Sequence, residues 1–124
     1  MRITDEALNE LRTTNARCEA AVERQDANGY YDENERSHNI LYRQSDNSFL
    51  EQECLRLQRR LKPFRRIQLK LRGRMRQSLS EHKEIVDALM VGDGIRAADA
   101  ARSHVAIQGE KFHHLLSSLK PAAE

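Results

Sequence analysis

Residues 48–71 read SFLEQECLRLQRRLKPFRRIQLKL, and the spacing of their apolar members decides the fold class. Leu50, Cys54, Leu57, Leu61 and Phe64 recur at intervals of 4, 3, 4 and 3, the period of one helix face and not the alternation of a strand. Ser48 and Glu51 have capping-box spacing and mark where this helix begins. Pro63 removes one backbone donor, yet the apolar period runs on to Leu71. The proline is therefore expected to bend the helix rather than end it.

The same period extends in both directions. Upstream, Thr4 is a good N-cap, Asp5 and Glu6 follow in the first turn, and Leu8, Leu11, Asn15, Cys18 and Val22 form a stripe. The turn Asp26-Ala27-Asn28-Gly29 closes that helix, and a second is expected from about Tyr30 to Ser45. Downstream, Gly73 breaks the pattern before a fourth helix carrying Leu79, His82, Ile85, Val86 and Leu89. After Gly92-Asp93-Gly94, a fifth runs from near Asp93 to about Leu119 and stops at Pro121. Short connections make sequential helices antiparallel neighbours, so the expected architecture is all-α, an up-and-down bundle of about five helices forming one domain over residues 1–124. There is no internal repeat, and the stripes shift face too often for one extended coiled coil.

Composition agrees. Leu, Ile, Val and Phe make up only 27 of 124 residues while 32% are charged, so the core must be small. Five Gly, two Pro and few aromatic residues argue against a sandwich or barrel. No apolar run approaches a membrane span, and MRITDEALNE lacks the apolar centre of a signal peptide. Cys18 and Cys54, both at apolar helical positions, are expected to be small buried thiols in a reducing cytoplasm. The net charge of +2 conceals an asymmetry: residues 1–53 carry 6 basic and 12 acidic groups, residues 54–124 carry 15 and 7. Ten cations, from Arg56 to Arg76, follow one another with no acidic residue between them.

Polar residues on a core-facing stripe are the informative exceptions. On the second helix Asn34 and His38 share an arc with Tyr31, Leu41, Tyr42 and Ser45. His82 lies in the arc of Leu79, Ile85, Val86 and Leu89, and His104 in that of Ala97, Ala101, Val105, Gln108, Phe112, Leu115 and Leu119. One inward histidine is usually a hydrogen-bonded core residue, but three on three helices can aim at one point. Three neutral imidazoles and the Asn34 oxygen would suit Zn²⁺ or another imidazole-preferring ion, with one or two positions left open for a carboxylate. His113 and His114 project away from that arc and suit a surface role near a helix C-terminus.

The runs YYDENERSHNILYRQSDNSFLEQ (30–52), RLQRRLKPFRRIQL (56–69), SLSEHKEIVDALMVGD (78–93) and AARSHVAIQGEKFHHLLSSL (100–119), in this order and spacing, resemble the FadR C-terminal (FCD) effector domain of GntR-type bacterial transcription regulators. The resemblance implies an antiparallel helical bundle that dimerises, binds a metal through Asn34, His38, His82 and His104, and senses a small organic acid or related metabolite. It further implies an attached winged helix-turn-helix as the only route to operator DNA, and no enzymatic activity. Asn34 stands where many members carry Asp, and Ser37 where a bulky apolar residue is common. The chain shows no winged-helix region and is expected to begin after the first helix of the usual domain, which often supplies an arginine to the pocket.

Two other readings compete. The cations of residues 56–76 could be an electrostatic footprint for nucleic acid, or a solvated face paired with the acidic first half, with some arginines turned inward. Only Phe64 interleaves them, which disfavours a stacking platform. A three-histidine metal can also activate water as in a hydrolase, but Glu81 points about 100° away from His82 on the helix, which leaves no obvious general base.

Overall fold

Most helices of the chain begin where a short polar side chain takes up backbone amides that lack partners inside the helix. The structure, a computed structural model, describes residues 3–119 and their side chains as far as Gln108. Thr4 Oγ1 accepts from the Ala7 amide at 3.1 Å and starts α1 (Asp5–Glu23), as expected. Asp26 Oδ1 accepts from the Gly29 amide at 2.9 Å, so α2 (Ala27–Gln44) begins three residues before Tyr30. The segment expected as a turn is that helix's first turn. α3 (Ser48–Gln68) is capped by Asn47, not Ser48: Asn47 is extended and its Oδ1 accepts from Leu50 at 3.0 Å, whereas Ser48 is already helical. The helix continues through Pro63 but stops short of Leu71.

Gly73 introduces α4 (Arg74–Met90) with a φ of +76°, a left-handed conformation that suits glycine. Asp93 accepts from the Arg96 amide at 3.0 Å ahead of α5 (Gly94–Leu119). The expectations for Phe112, His113, His114, Leu115, Leu119 and Pro121 concern side chains or residues outside the described ones.

Five helices and, among the described residues, no strand make up the expected all-α bundle. α1 packs on α2 and α4, α2 on α3, α4 on α5, and α3 on α5, which closes a ring. Consecutive helices are neighbours except α3 and α4, whose five-residue connection carries the chain across to the far side of α1.

Two apolar clusters fill the interior. Cys18, Ala21, Val22, Tyr30, Tyr31, Leu69 and Leu79 form one; Ala7, Leu11, Ile40 and Val86 form the other. Along α1, α2 and α4 buried polar residues lie between these sets: Thr14 and Asn15, then Asn34, Ser37 and His38, then His82, with Ile85 the one buried apolar residue among them. A small core is thus split by a polar layer, which must satisfy its own hydrogen bonds or hold something that does.

The α3 stripe does not point into this core. Leu50 and Leu57 are 49% and 51% exposed, Cys54, Leu61 and Phe64 are half-buried, and the fully buried side chains of α3 are Gln58 and Gln68. Periodicity identified the helix, but the stripe lies at the edge of the packed face: Leu50 and Leu57 stand half in solvent while Cys54, Leu61 and Phe64 are half-buried. Val105, expected inward beside His104, is 63% exposed for the same reason: a histidine and its apolar neighbour 100° away cannot both face a narrow centre. Cys18 is fully buried, and burial pushes its thiol up to about 12. Cys54 is only half-buried.

Candidate metal centre

Asn34, His38 and Tyr42 follow one another at four-residue intervals on α2, so their side chains lie along one face. His82 comes from α4 and His104 from α5, 22 residues apart in sequence. The bundle brings the three histidines into its polar layer, all buried. His82 Nε2 lies 3.1 Å from His38 Nε2 and 3.1 Å from His104 Nε2, and the three ligand atoms fall within 4.8 Å of one another.

The outer nitrogens explain why the inner ones converge. His104 Nδ1 is 2.6 Å from Glu81 Oε1, His82 Nδ1 is 3.4 Å from Ser37 Oγ, and His38 Nδ1 is 3.5 Å from Tyr42 Oη. A carboxylate accepts only, so Glu81 places a proton on Nδ1 of His104 and leaves its Nε2 a lone pair. The hydroxyls of Ser37 and Tyr42 can accept from the other two rings in the same way. Three lone pairs then meet at one point. A single proton at His82 Nε2 would have to be shared between two neighbours, whereas one cation satisfies all three.

The spacing fits such a cation. Zn–N bonds of about 2.0–2.1 Å place tetrahedral ligands roughly 3.3 Å apart, close to the separations found. Burial holds the rings neutral, the form that donates to a metal. It drives His38 well below its ordinary value, helped by the neighbouring imidazoles. His82 is pushed down to about 3, by burial and then by His104 and Arg74. His104 falls to about 4 through burial and the Arg74 and Arg65 charges. Asn34, one turn before His38, is buried, and its Oδ1 has no hydrogen-bond partner. An orphaned buried acceptor one turn before His38 is compatible with an oxygen ligand to an ion at the imidazoles. The residues present therefore fit a divalent ion of imidazole and oxygen preference.

The sequence reading missed Glu81 and Arg74. Glu81 turns away from His82 as its helical position requires, and this turn brings it against His104 on α5. Arg74, only 3% exposed, reaches the same carboxylate oxygen at 3.4 Å. Their roles arise from the contact between α4 and α5, and spacing along α4 carried no signal for them. Asn34 Oδ1 is one of several buried polar atoms without a hydrogen-bond partner, among them Asn15 Oδ1 on α1 and Asn39 Oδ1 on α2.

The cations of residues 56–76 divide among several tasks. Arg66 stands 5.1 Å above the Tyr31 ring, with Lys62 at 5.8 Å, and reaches Asp32 at 3.9 Å. Arg56 pairs with Glu53 at 2.7 Å, and Arg74 is inside. Pairing with the acidic first half and one inward arginine therefore account for part of the run.

The profile of the FCD domain matches residues 1–107, a span that contains all five helix starts and all three histidines. No curated protein and no solved structure matches the chain.

Proposed function

Because the chain belongs to the FCD domain family, the effector domains of GntR-type regulators, we propose that it senses a small organic acid or related metabolite at a divalent metal. His38, His82 and His104 would hold the ion through Nε2, with Asn34 Oδ1 as the oxygen ligand. The observation that carries this reading is the meeting of three buried imidazole nitrogens from three helices. An ion held by neutral ligands keeps its positive charge and supplies an electrostatic anchor for a carboxylate.

The protein's own groups set that anchor. Glu81 fixes the tautomer and orientation of His104, and Arg74 stands against the same carboxylate oxygen from the other side. The four ligands come from α2, α4 and α5, so occupancy fixes three helices relative to one another. A dimer of this domain would pass that change to an attached winged helix-turn-helix, its only route to operator DNA. The metal is Zn²⁺, with Ni²⁺ as the other imidazole-preferring candidate, and the setting is cytoplasmic.

Metal analysis of the purified chain tests the reading. About one Zn²⁺ or Ni²⁺ per chain is expected. A chain that takes up neither ion at micromolar concentration overturns it.

A further inference from the structure

The polar layer holds an acceptor that the candidate metal ligands leave over. Asn15, on α1, is 8% exposed, and its Oδ1 has no hydrogen-bond partner among the described residues. The apolar clusters on either side fix its height in the bundle. Leu11 shares one cluster with Ile40 and Val86, and Cys18 shares the other with Tyr31 and Leu79. Asn15 lies between Leu11 and Cys18, His82 between Val86 and Leu79, and Asn34, Ser37 and His38 between Ile40 and Tyr31. Asn15 therefore stands level with the imidazole cluster, on the stripe of α1 that packs against α2 and α4.

An unfilled acceptor at this depth lowers stability, and an apolar side chain at position 15 would simply join the two clusters. The hydroxyls at the same level are engaged elsewhere. Thr14 donates to the Leu11 carbonyl at 2.8 Å, and Ser37 Oγ lies 3.4 Å from Nδ1 of His82. What suits Asn15 Oδ1 is a donor that arrives with a ligand. A carboxylate only accepts, so the acid group that meets the metal cannot serve it, whereas a hydroxyl or ammonium group on the same molecule can.

We infer that Asn15 is a specificity-determining residue of the sensor site, its Oδ1 accepting a hydrogen bond from a hydroxyl or ammonium group of the acid bound at the metal. Hydroxy or amino acids are then preferred to plain and keto acids. The inference rests on the metal-centred reading proposed above and narrows its ligand class.

Calorimetric titration of the Zn²⁺-loaded full chain with lactate, alanine, propanoate and pyruvate tests it, all four probes sharing one carbon frame. Lactate or alanine should bind on the order of tenfold more tightly than propanoate and pyruvate, and whichever does so identifies the donor. In Asn15→Leu that preference should shrink by a similar factor, while Zn²⁺ affinity stays parental and the ligand-free melting temperature is unchanged or higher. Asn15→Ala removes the same acceptor without adding bulk, which keeps the comparison readable if the leucine variant does not fold. A preference that survives substitution overturns the inference, as does loss of Zn²⁺ uptake in the folded variants, which would make Asn15 part of the metal centre. A Zn²⁺-loaded parent that binds none of the probes, binds all four alike or prefers pyruvate also overturns it and leaves the metal centre standing. A parent that takes up neither Zn²⁺ nor Ni²⁺ overturns the proposed function itself, and the inference with it.

Discussion

Glu81 Oε1 lies 2.6 Å from Nδ1 of His104, joining adjacent helices across 23 residues of chain. The carboxylate does not face the point where the imidazoles meet; it holds one of them from behind. This fixes Nε2 of His104 as a lone pair and gives the cluster its polarity. Glu81 is therefore a positioning residue and not a base placed over an open metal position.

Replacing it tests this role. Glu81→Gln keeps the shape but removes the charge that orients His104 and faces Arg74, and metal affinity should fall by about 10- to 100-fold. Competition with a chelating dye measures the change. Equal affinity in the variant would show that the contact has no part in metal binding.

His82 Nε2 touches both other imidazoles, so its loss should be the most severe. His82→Ala is expected to abolish stoichiometric Zn²⁺ or Ni²⁺ binding and to remove the rise in melting temperature that added metal gives the parent by mass action. Elemental analysis and thermal melts with and without chelator check this together. Parental metal content in the variant would remove His82 from the ligand set.

Asn34 offers a graded test because one atom type can be changed at constant size. Asn34→Asp adds a negative oxygen and should tighten divalent-ion binding by on the order of tenfold, while Asn34→Ala should weaken it to a similar degree. Calorimetric titration reads both. If neither substitution moves the affinity, the orphaned Oδ1 serves another purpose.

Acid should weaken the metal-free fold. The folded pKa values of His38 and His82 lie below the ordinary 6.5, His82 at about 3. Between those values the unfolded chain binds protons that the folded chain refuses, so stability is fully present above pH 6.5 and is lost as pH falls toward 3. Chelator-treated protein should melt at a lower temperature at pH 5 than at pH 7.5. A flat or rising profile over that interval would mean that the rings are not buried in the neutral form.

The apolar clusters predict ordinary core energetics. Leu11 is fully buried between α1, α2 and α4, and Leu11→Ala should cost about 3 kcal/mol of unfolding free energy. Urea denaturation measures it. A loss below about 1 kcal/mol would mean that the cluster repacks around the cavity.

Several features were legible because they are local. Apolar spacing gave the five helices, and Thr4 and the continuation through Pro63 were read correctly from neighbouring residues alone. The inward positions of Asn34, His38, His82 and His104 followed from polar residues interrupting apolar arcs, since rotation about a helix axis is fixed by sequence number. The cap at Asn47 and the early start of α2 fell within one to three residues of the expected places, the range over which adjacent polar side chains compete for the same amides.

The arrangement in space required the tertiary structure. Periodicity tells which residues share a face but not what that face meets, so α3 looked like a core helix although its apolar flank stands half in solvent. The roles of Glu81 and Arg74 depend on where α5 lies against α4, a relation between segments that helical spacing does not contain. The sequence by itself determined the rods, the caps and the polar positions. The packing of the ring decided that three imidazoles point at one another and that a carboxylate stands behind one of them, because distance between helices is set by how all five fill a common volume.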